Sequence, residues 1–441
     1  MKTVLAYLLS GLLLLSAMAA CVRPAGPLAG AQAPPTVVQP LPVHILQSSK
    51  PRSAAPEASL QDLEQLVQGN TAFALDLYHH LRKSQGGNLF YSPYSISLAL
   101  AMTYAGARGE TEQAMARTLR FSLPSDRLHP TFNALDQALI RRGQGAKGKD
   151  EKGFRLRIVN ALWGQVGHPF RSEFLDLLAE HYGAGLRGVD FARDPEAARA
   201  LINDWVRQQT EGRIQDLIPP NAIDPLTRLV LTNALYFNAA WAEPFDPDLT
   251  REDAFYLLDG TEIRVPMMQQ TTRMGYAEGE DYQAVEIPYD GWELAMVVIA
   301  PKRGQFETFE ASLDTARLQE ILQGLTPREV ALTFPRFRVE SFFRLAEALG
   351  AMGMRVAFTP GEADFSGMDG TRNLFIGDVL HKAFVAVDEA GTEAAAATAV
   401  VMKATAIGLA PVEVKVDRPF IFLIRDLPTG AVLFVGRVVH P

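Results

Sequence analysis

From about Leu60 the apolar residues Leu63, Leu66, Val67, Phe73, Leu77 and Leu81 recur at the three-and-four spacing of an amphipathic helix. Ser92-Pro93 opens a second helix carrying Ile96, Leu98, Leu100 and Met102, and further helices are predicted over 172–184, 195–209 and around 341–351. Apolar and β-branched runs predict strands over 154–163, 227–237, 292–300, 329–339, 376–388, 412–417 and 431–439. Helices and strands do not alternate regularly, so the fold class is α+β rather than a doubly wound parallel sheet. No solenoid-type repeat and no break in composition follows residue 60, and a single large domain over 60–441 suits this unbroken pattern.

The N-terminus reads differently. Lys2 precedes an apolar run through Leu8, Leu9 and Leu12 to Leu15, then the small residues Ala17, Ala19 and Ala20 before Cys21. That order reads as a signal peptide over 1–20, too short and wrongly flanked for a membrane span. Met18-Ala19-Ala20-Cys21 resembles the lipobox of bacterial lipoproteins, which are acylated on the cysteine, with Met18 where Leu is usual. Cleavage after Ala17-Met18-Ala19 is the alternative and leaves a soluble secreted chain. Residues 22–58, rich in Pro, Ala, Gln and Ser, are expected to form an extended tether, so that 21–59 links an anchor outside the cytoplasm to the domain. Cys21 is the single cysteine in the chain, which excludes an intrachain disulfide.

With 441 residues, 48% of them hydrophobic and 21% charged, the chain can bury a sizeable core. A net charge of -8 without a basic cluster argues against nucleic-acid binding. There is no G-x-S-x-G elbow, no H-E-x-x-H pair and no Walker loop, so neither a nucleophile with its base nor a metal or cofactor site is predicted. Gly143-Gln144-Gly145-Ala146-Lys147-Gly148 spells G-x-G-x-x-G, but it follows a helix and precedes a strand, the reverse of a dinucleotide fold. It is read as a solvated loop.

One stretch fits none of these elements. Val385 to Asp388 begins as a strand, and Glu389-Ala390-Gly391-Thr392-Glu393 then leads into Ala394-Ala395-Ala396-Ala397-Thr398. Four alanines favour a helix locally. Against that stand Gly391, the β-branched Thr398, Val400 and Val401, and the early stop at Gly408 and Pro411. Small residues flanked by strands can also slip between existing strands, where bulky or charged side chains would be excluded.

These residues resemble the hinge of the reactive centre loop of inhibitory serpins, the serine protease inhibitors. The resemblance extends over nearly all the chain after residue 70. Asn88 to Ile96 is similar to the start of the family's second helix, and Thr103 to Arg117 to the run beyond it. Thr232 to Phe237, with Trp241 and Pro244-Phe245, resembles the central strand and the breach. His381-Lys382-Ala383, Asp417 to Ile424 and Val435 to Val438 follow in order. Any one of these is weak alone; their order carries the resemblance.

The resemblance implies a fold with a large, mostly antiparallel central sheet, additional sheets, surrounding helices and an exposed loop over about 389–411. It implies a monomeric suicide inhibitor and not an enzyme. A serine protease cuts the loop, and the hinge, Glu389, Gly391 to Thr398, then inserts as a new strand and traps the acyl-enzyme. A strand of about a dozen residues gains backbone hydrogen bonds worth roughly 1 kcal/mol each. That rivals a domain's usual stability of about 5 to 15 kcal/mol, so the active form must be kinetically trapped.

By the same resemblance, Ser92, Ser95, Asn233 and His381 form the shutter, a polar latch under the sheet, and Trp241 belongs to the breach. From the residues alone, His381 reads as a satisfied core histidine, Ser92 as a helix cap and Trp241 as core. Thr392 is the first residue expected to enter the sheet. Counting along the loop puts the scissile bond at Thr405-Ala406, with positions up to Gly408 open. Small residues there imply an elastase-like or subtilisin-like target, whereas cleavage after Lys403 would imply a trypsin-like one. A serpin fold that binds or stores without inhibiting is the alternative function.

Overall fold

The computed structural model describes residues 44–46, 48–146, 154–392 and 410–441, all within one compact unit, Pro40–Pro441. In chain order the strands are β1 (His44–Leu46), β2 (Leu89–Tyr91), β3 (Arg155–Gln165), β4 (Leu186–Val189), β5 (Leu229–Ala240), β6 (Arg251–Tyr256), β7 (Glu262–Glu278) and β8 (Tyr282–Pro288). They continue with β9 (Leu294–Pro301), β10 (Thr326–Pro335), β11 (Phe337–Arg344), β12 (Val379–Asp388), β13 (Gly391–Thr392), β14 (Val412–Lys415), β15 (Phe420–Asp426) and β16 (Val432–Val438). The helices used below are α1 (Leu60–Ser84), α2 (Pro93–Tyr104), α3 (Gly109–Leu119), α4 (Ser125–Ile140), α5 (Ser172–Leu177) and α6 (Pro195–Gln209).

Two sheets organise the chain. A seven-stranded mixed sheet runs β1-β4-β3-β5-β13-β12-β11, and a nine-stranded sheet runs β14-β10-β7-β8-β9-β15-β16-β2 with β6 on β7. The expected α+β class holds. β9, β15 and β16 read as near-continuous apolar runs because both of their faces are covered, and almost every residue in them is buried. α2 is apolar all round for the same reason, every one of its residues being buried. Its N-terminus is capped by Ser92, whose Oγ accepts from the Ser95 N–H, and Pro93 sits where no amide is needed.

Several elements differ from the sequence reading; β4, β6, β7, β8 and β15 are not among the expected strands. The stretch 329–339 is two strands in different sheets, β10 and β11, parted at Arg336 just after Pro335. The helix expected around 341–351 begins later, at Ala346, because β11 runs on to Arg344 with Val339, Ser341 and Phe343 inward and Phe342 outward. An apolar period of two wins there over an apparent period near four. The 17-residue β7 escaped notice because Gln269 to Arg273 dilute its apolar pattern with one-sided exposure.

The N-terminal stretch also differs. Within the expected tether, β1 pairs antiparallel with β4 at the edge of the seven-stranded sheet, and Ser48 to Ser53 dock on the helices beside it.

Candidate functional site: the sheet seam and the hinge

The centre of the seven-stranded sheet is a seam. Along its lower part β5 and β12 pair directly and in parallel, from Val379 opposite Leu231 to Ala383 opposite Leu235. At the other end the two strands diverge and β13 lies between them, Thr392 opposite Ala239 on β5 and opposite Val387 on β12. The slot is open at one end and closed at the other.

Gly391 stands where no other residue fits. Its φ is +151°, and a Cβ would lie 2.1 Å from the Ala239 carbonyl oxygen. The turn before it is held on three sides: the Trp241 N–H donates to Ala390 O at 3.0 Å, the Phe245 N–H to Glu389 O at 2.9 Å, and the Trp241 indole Nε1 to Asp388 O at 2.9 Å. Trp241 is buried and stacks on Tyr289 at 4.7 Å between centroids. The Tyr289 hydroxyl hydrogen-bonds the Thr392 hydroxyl at 2.8 Å. Burial pushes the Tyr289 phenol far upward, so it stays neutral beside the threonine.

Glu389 is nearly buried, and its Oε1 accepts from Arg336 Nε at 2.8 Å and from the Thr250 hydroxyl at 2.5 Å. Burial pulls its pKa upward, but the hydrogen bonds from Arg336 and Thr250 and the nearby guanidinium outweigh this and hold it below the usual range. The hinge therefore starts from a charged, satisfied foot.

Beneath the seam, Asn160 on β3, Asn233 on β5 and His381 on β12 stand in register across three strands. Asn233 Nδ2 donates to Asn160 Oδ1 at 2.7 Å and to Ser95 Oγ at 2.7 Å, and Ser95 Oγ donates to Asn160 Oδ1 at 3.0 Å. His381 Nδ1 hydrogen-bonds Asn233 Oδ1, and its Nε2 accepts from the Ser92 backbone N–H at 3.1 Å. Those two partners fix the tautomer with the proton on Nδ1. Ser92 Oγ in turn donates to Leu433 O at 2.7 Å, while it caps α2. Burial depresses the His381 pKa to about 3, so the ring is neutral near pH 7.

The structure thus brings Ser92, Ser95, Asn233 and His381 into one network, and places Trp241 against Asp388 and Ala390, just before Gly391 and Thr392. Glu389, Gly391 and Thr392 are described; Cys21, Glu393, Ala394 to Ala397, Thr398, Thr405 and Ala406 lie outside the described residues. Sequence reasoning missed Asn160, Tyr289, Arg336 and Thr250. Asn160 carried a signal, being the one polar residue in Ile158 to Trp163; the other three did not. The first residues of the G-x-G-x-x-G match, Gly143 to Ala146, form a turn after α4 and before β3. Among the described residues no group of three or more His, Cys, Asp or Glu could hold a metal ion.

The family model "Serpin (serine protease inhibitor)" matches residues 68–441. The chain is a serpin. It is 43% identical to a serpin-like protein of Thermococcus kodakarensis, over 85% of this chain and 86% of that one. It is 40% identical to leukocyte elastase inhibitor A of Rattus norvegicus, over 86% of this chain and 100% of that one. The solved structure of the thermophilic serpin tengpin in its native state matches with a TM-score of 0.79 at 28% identity, covering 90% of this chain and 100% of that one. The fold is the serpin fold, with helices and several sheets that include the large mixed sheet described above. Serpins as a family are protease inhibitors rather than catalytic enzymes.

Proposed function

We propose that this serpin is a serine-type endopeptidase inhibitor that works as a suicide substrate. The observation that carries the reading is β13: Gly391 and Thr392 already occupy the mouth of a slot whose lower part is closed by direct β5–β12 pairing. Ala394 to Ala397, the next residues but one, are small enough to extend β13 down that slot after cleavage. Each step would exchange β5–β12 pairing for two new ladders, so insertion would release free energy that the uncleaved loop cannot reach. The Asn160, Asn233 and His381 row is the latch that insertion would have to part and remake.

In this reading a serine protease is held as a covalent acyl-enzyme, the scissile bond is Thr405-Ala406, and the target is elastase-like or subtilisin-like. The elastase inhibitor among its relatives supports that target class. The alternative, a serpin-fold binding protein without inhibition, follows from family members that do not inhibit. It requires a hinge that cannot insert, and no proline, bulky or charged residue stands among Ala394 to Ala397. The N-terminal signals support export, with Cys21 acylated outside the cytoplasm and the protein acting as a monomer. Incubation with elastase-, subtilisin-, chymotrypsin- and trypsin-like proteases, with the mass of the released C-terminal peptide, tests the reading. An SDS-stable complex and a peptide starting at Ala406 are expected. Cleavage without a complex from every protease would overturn it in favour of the binding protein.

A further inference from the structure

Below the closed part of the seam the sheet leaves a hollow. Direct pairing of β5 with β12 starts only at Leu231 opposite Val379. The residues just before it, Leu229 and Val230 on one side and Gly377 and Asp378 on the other, line a cavity of about 450 Å³ instead of pairing with each other. That volume falls within the range of small-molecule sites, about 300–1,000 Å³. The cavity lies at the opposite end of the seam from β13, wholly among the described residues.

Its walls are apolar and come from two buried clusters. Ile218, Ile223, Val230 and Leu380 belong to the cluster packed on α6, and Leu229 and Leu374 to the main core. Ile218 is pinned to α6, its N–H donating to Asn203 Oδ1 at 2.8 Å and its carbonyl accepting from Asn203 Nδ2 at 2.9 Å. That wall is in place before anything binds. At the mouth Leu226 is 77% exposed and Phe375 36%, two large apolar side chains that a ligand would cover.

The charged groups around the cavity are not alike. Asp378 is satisfied within the protein, accepting from Arg344 Nε at 2.6 Å and from the N–H groups of Val379 and Ala346 at 2.8 and 3.3 Å. Asp224 folds onto its own turn, its Oδ1 accepting from the Leu226 N–H at 2.9 Å and the Thr227 hydroxyl at 3.0 Å. Arg228 differs. Its Nη1 donates to Pro225 O at 2.9 Å and Thr227 O at 3.0 Å, which holds the guanidinium in place, yet among the described residues no carboxylate pairs with it. We propose that this cavity binds a medium-chain monocarboxylate, with the apolar chain against Leu229, Val230 and Leu380 and the carboxylate on Arg228. An uncharged apolar ligand would fill the same walls but leave Arg228 without a counter-charge. A bound chain touches β5 and β12 together and straps the foot of the seam. The site needs only the closed seam and stands independently of the inhibitor reading.

Calorimetric titration of the full chain with decanoate below its micelle concentration, and with decanol as the uncharged analogue, tests the site. One saturable decanoate site is expected, and filling it should raise the thermal midpoint. Decanol should bind about tenfold more weakly, for want of the charged hydrogen bond. Arg228→Gln should bring decanoate down to the affinity of decanol and leave decanol unchanged. Leu226→Ser and Phe375→Ser, both at exposed positions, should weaken the two ligands alike by several-fold. Absence of saturable binding overturns the proposal. Binding that survives Leu226→Ser combined with Phe375→Ser places the ligand elsewhere and overturns it too. Equal affinity for decanoate and decanol, unmoved by Arg228→Gln, overturns the carboxylate class.

Discussion

Asn233 and His381 face each other across the one stretch where β5 and β12 pair directly, the imidazole Nδ1 donating to the amide oxygen of Asn233. That hydrogen bond spans the seam that a new strand would have to part. A separation that starts beside β13 passes the Ala383–Leu235 and Lys382–Ala234 levels and then has to break this contact.

Removing either partner should therefore cost stability and loosen the seam. His381→Ala leaves the Ser92 amide and the Asn233 carbonyl buried and unpaired, at about 1–3 kcal/mol each. A lower thermal midpoint and faster spontaneous loss of inhibitory activity on warming are expected. Asn160→Ala should act through the same network, and a double-mutant cycle with His381→Ala should give a non-additive coupling.

The same histidine sets a pH dependence. Its folded pKa of about 3 lies below the ordinary 6.5, so at intermediate pH the unfolded chain binds more protons than the folded one. Its contribution is fully present above about pH 6.5 and is lost progressively as pH falls toward about 3. His129, buried and likewise depressed to about 3, adds to the same window. Urea midpoints measured from pH 7 to pH 4 should fall for the native chain and fall less steeply for His381→Gln.

Thr392 is buried with its hydroxyl on Tyr289. An arginine there would place a charge in the sheet at a cost of several kcal/mol unless paired. Thr392→Arg should be cleaved by the target protease at a similar rate yet leave little or no SDS-stable complex. Undiminished complex formation would sink the insertion mechanism.

Gly391→Ala tests whether β13 is seated by backbone approach. The added Cβ collides with backbone at Ala239, which cannot move without disturbing β5. The Thr392 amide should lose exchange protection and the fluorescence of Trp241 should shift, with the rest of the chain unchanged.

Arg437, Glu310 and Tyr78 form a buried cluster joining the last strand to α1: Arg437 meets Glu310 at 2.7 Å, and Tyr78 donates to Glu310 at 2.6 Å. Arg437→Leu would leave Glu310 with only the partly exposed Arg82 as a cation. A loss of about 3–5 kcal/mol is expected for breaking a buried pair from one side, read as a lower urea midpoint.

By itself the sequence determined the α+β class, α2 with its Ser92 cap, the apolar strands β9 and β16, and the order of motifs that marks a serpin. Those features are local: period, capping chemistry and small residues are written within a few positions of one another. Only the tertiary structure decided that 329–339 divides between two sheets, that Asn160 completes the row of Asn233 and His381, and that Tyr289, Arg336 and Thr250 hold Thr392 and Glu389. Each depends on partners from about 50 to 140 positions away in the chain or on a strand register, which no periodicity encodes. The N-terminal segment shows the same limit. Its composition predicts no core of its own, and it is ordered by a sheet edge and by carboxylates and amides on α4 and the helix through Glu180, which the fold alone brings within reach.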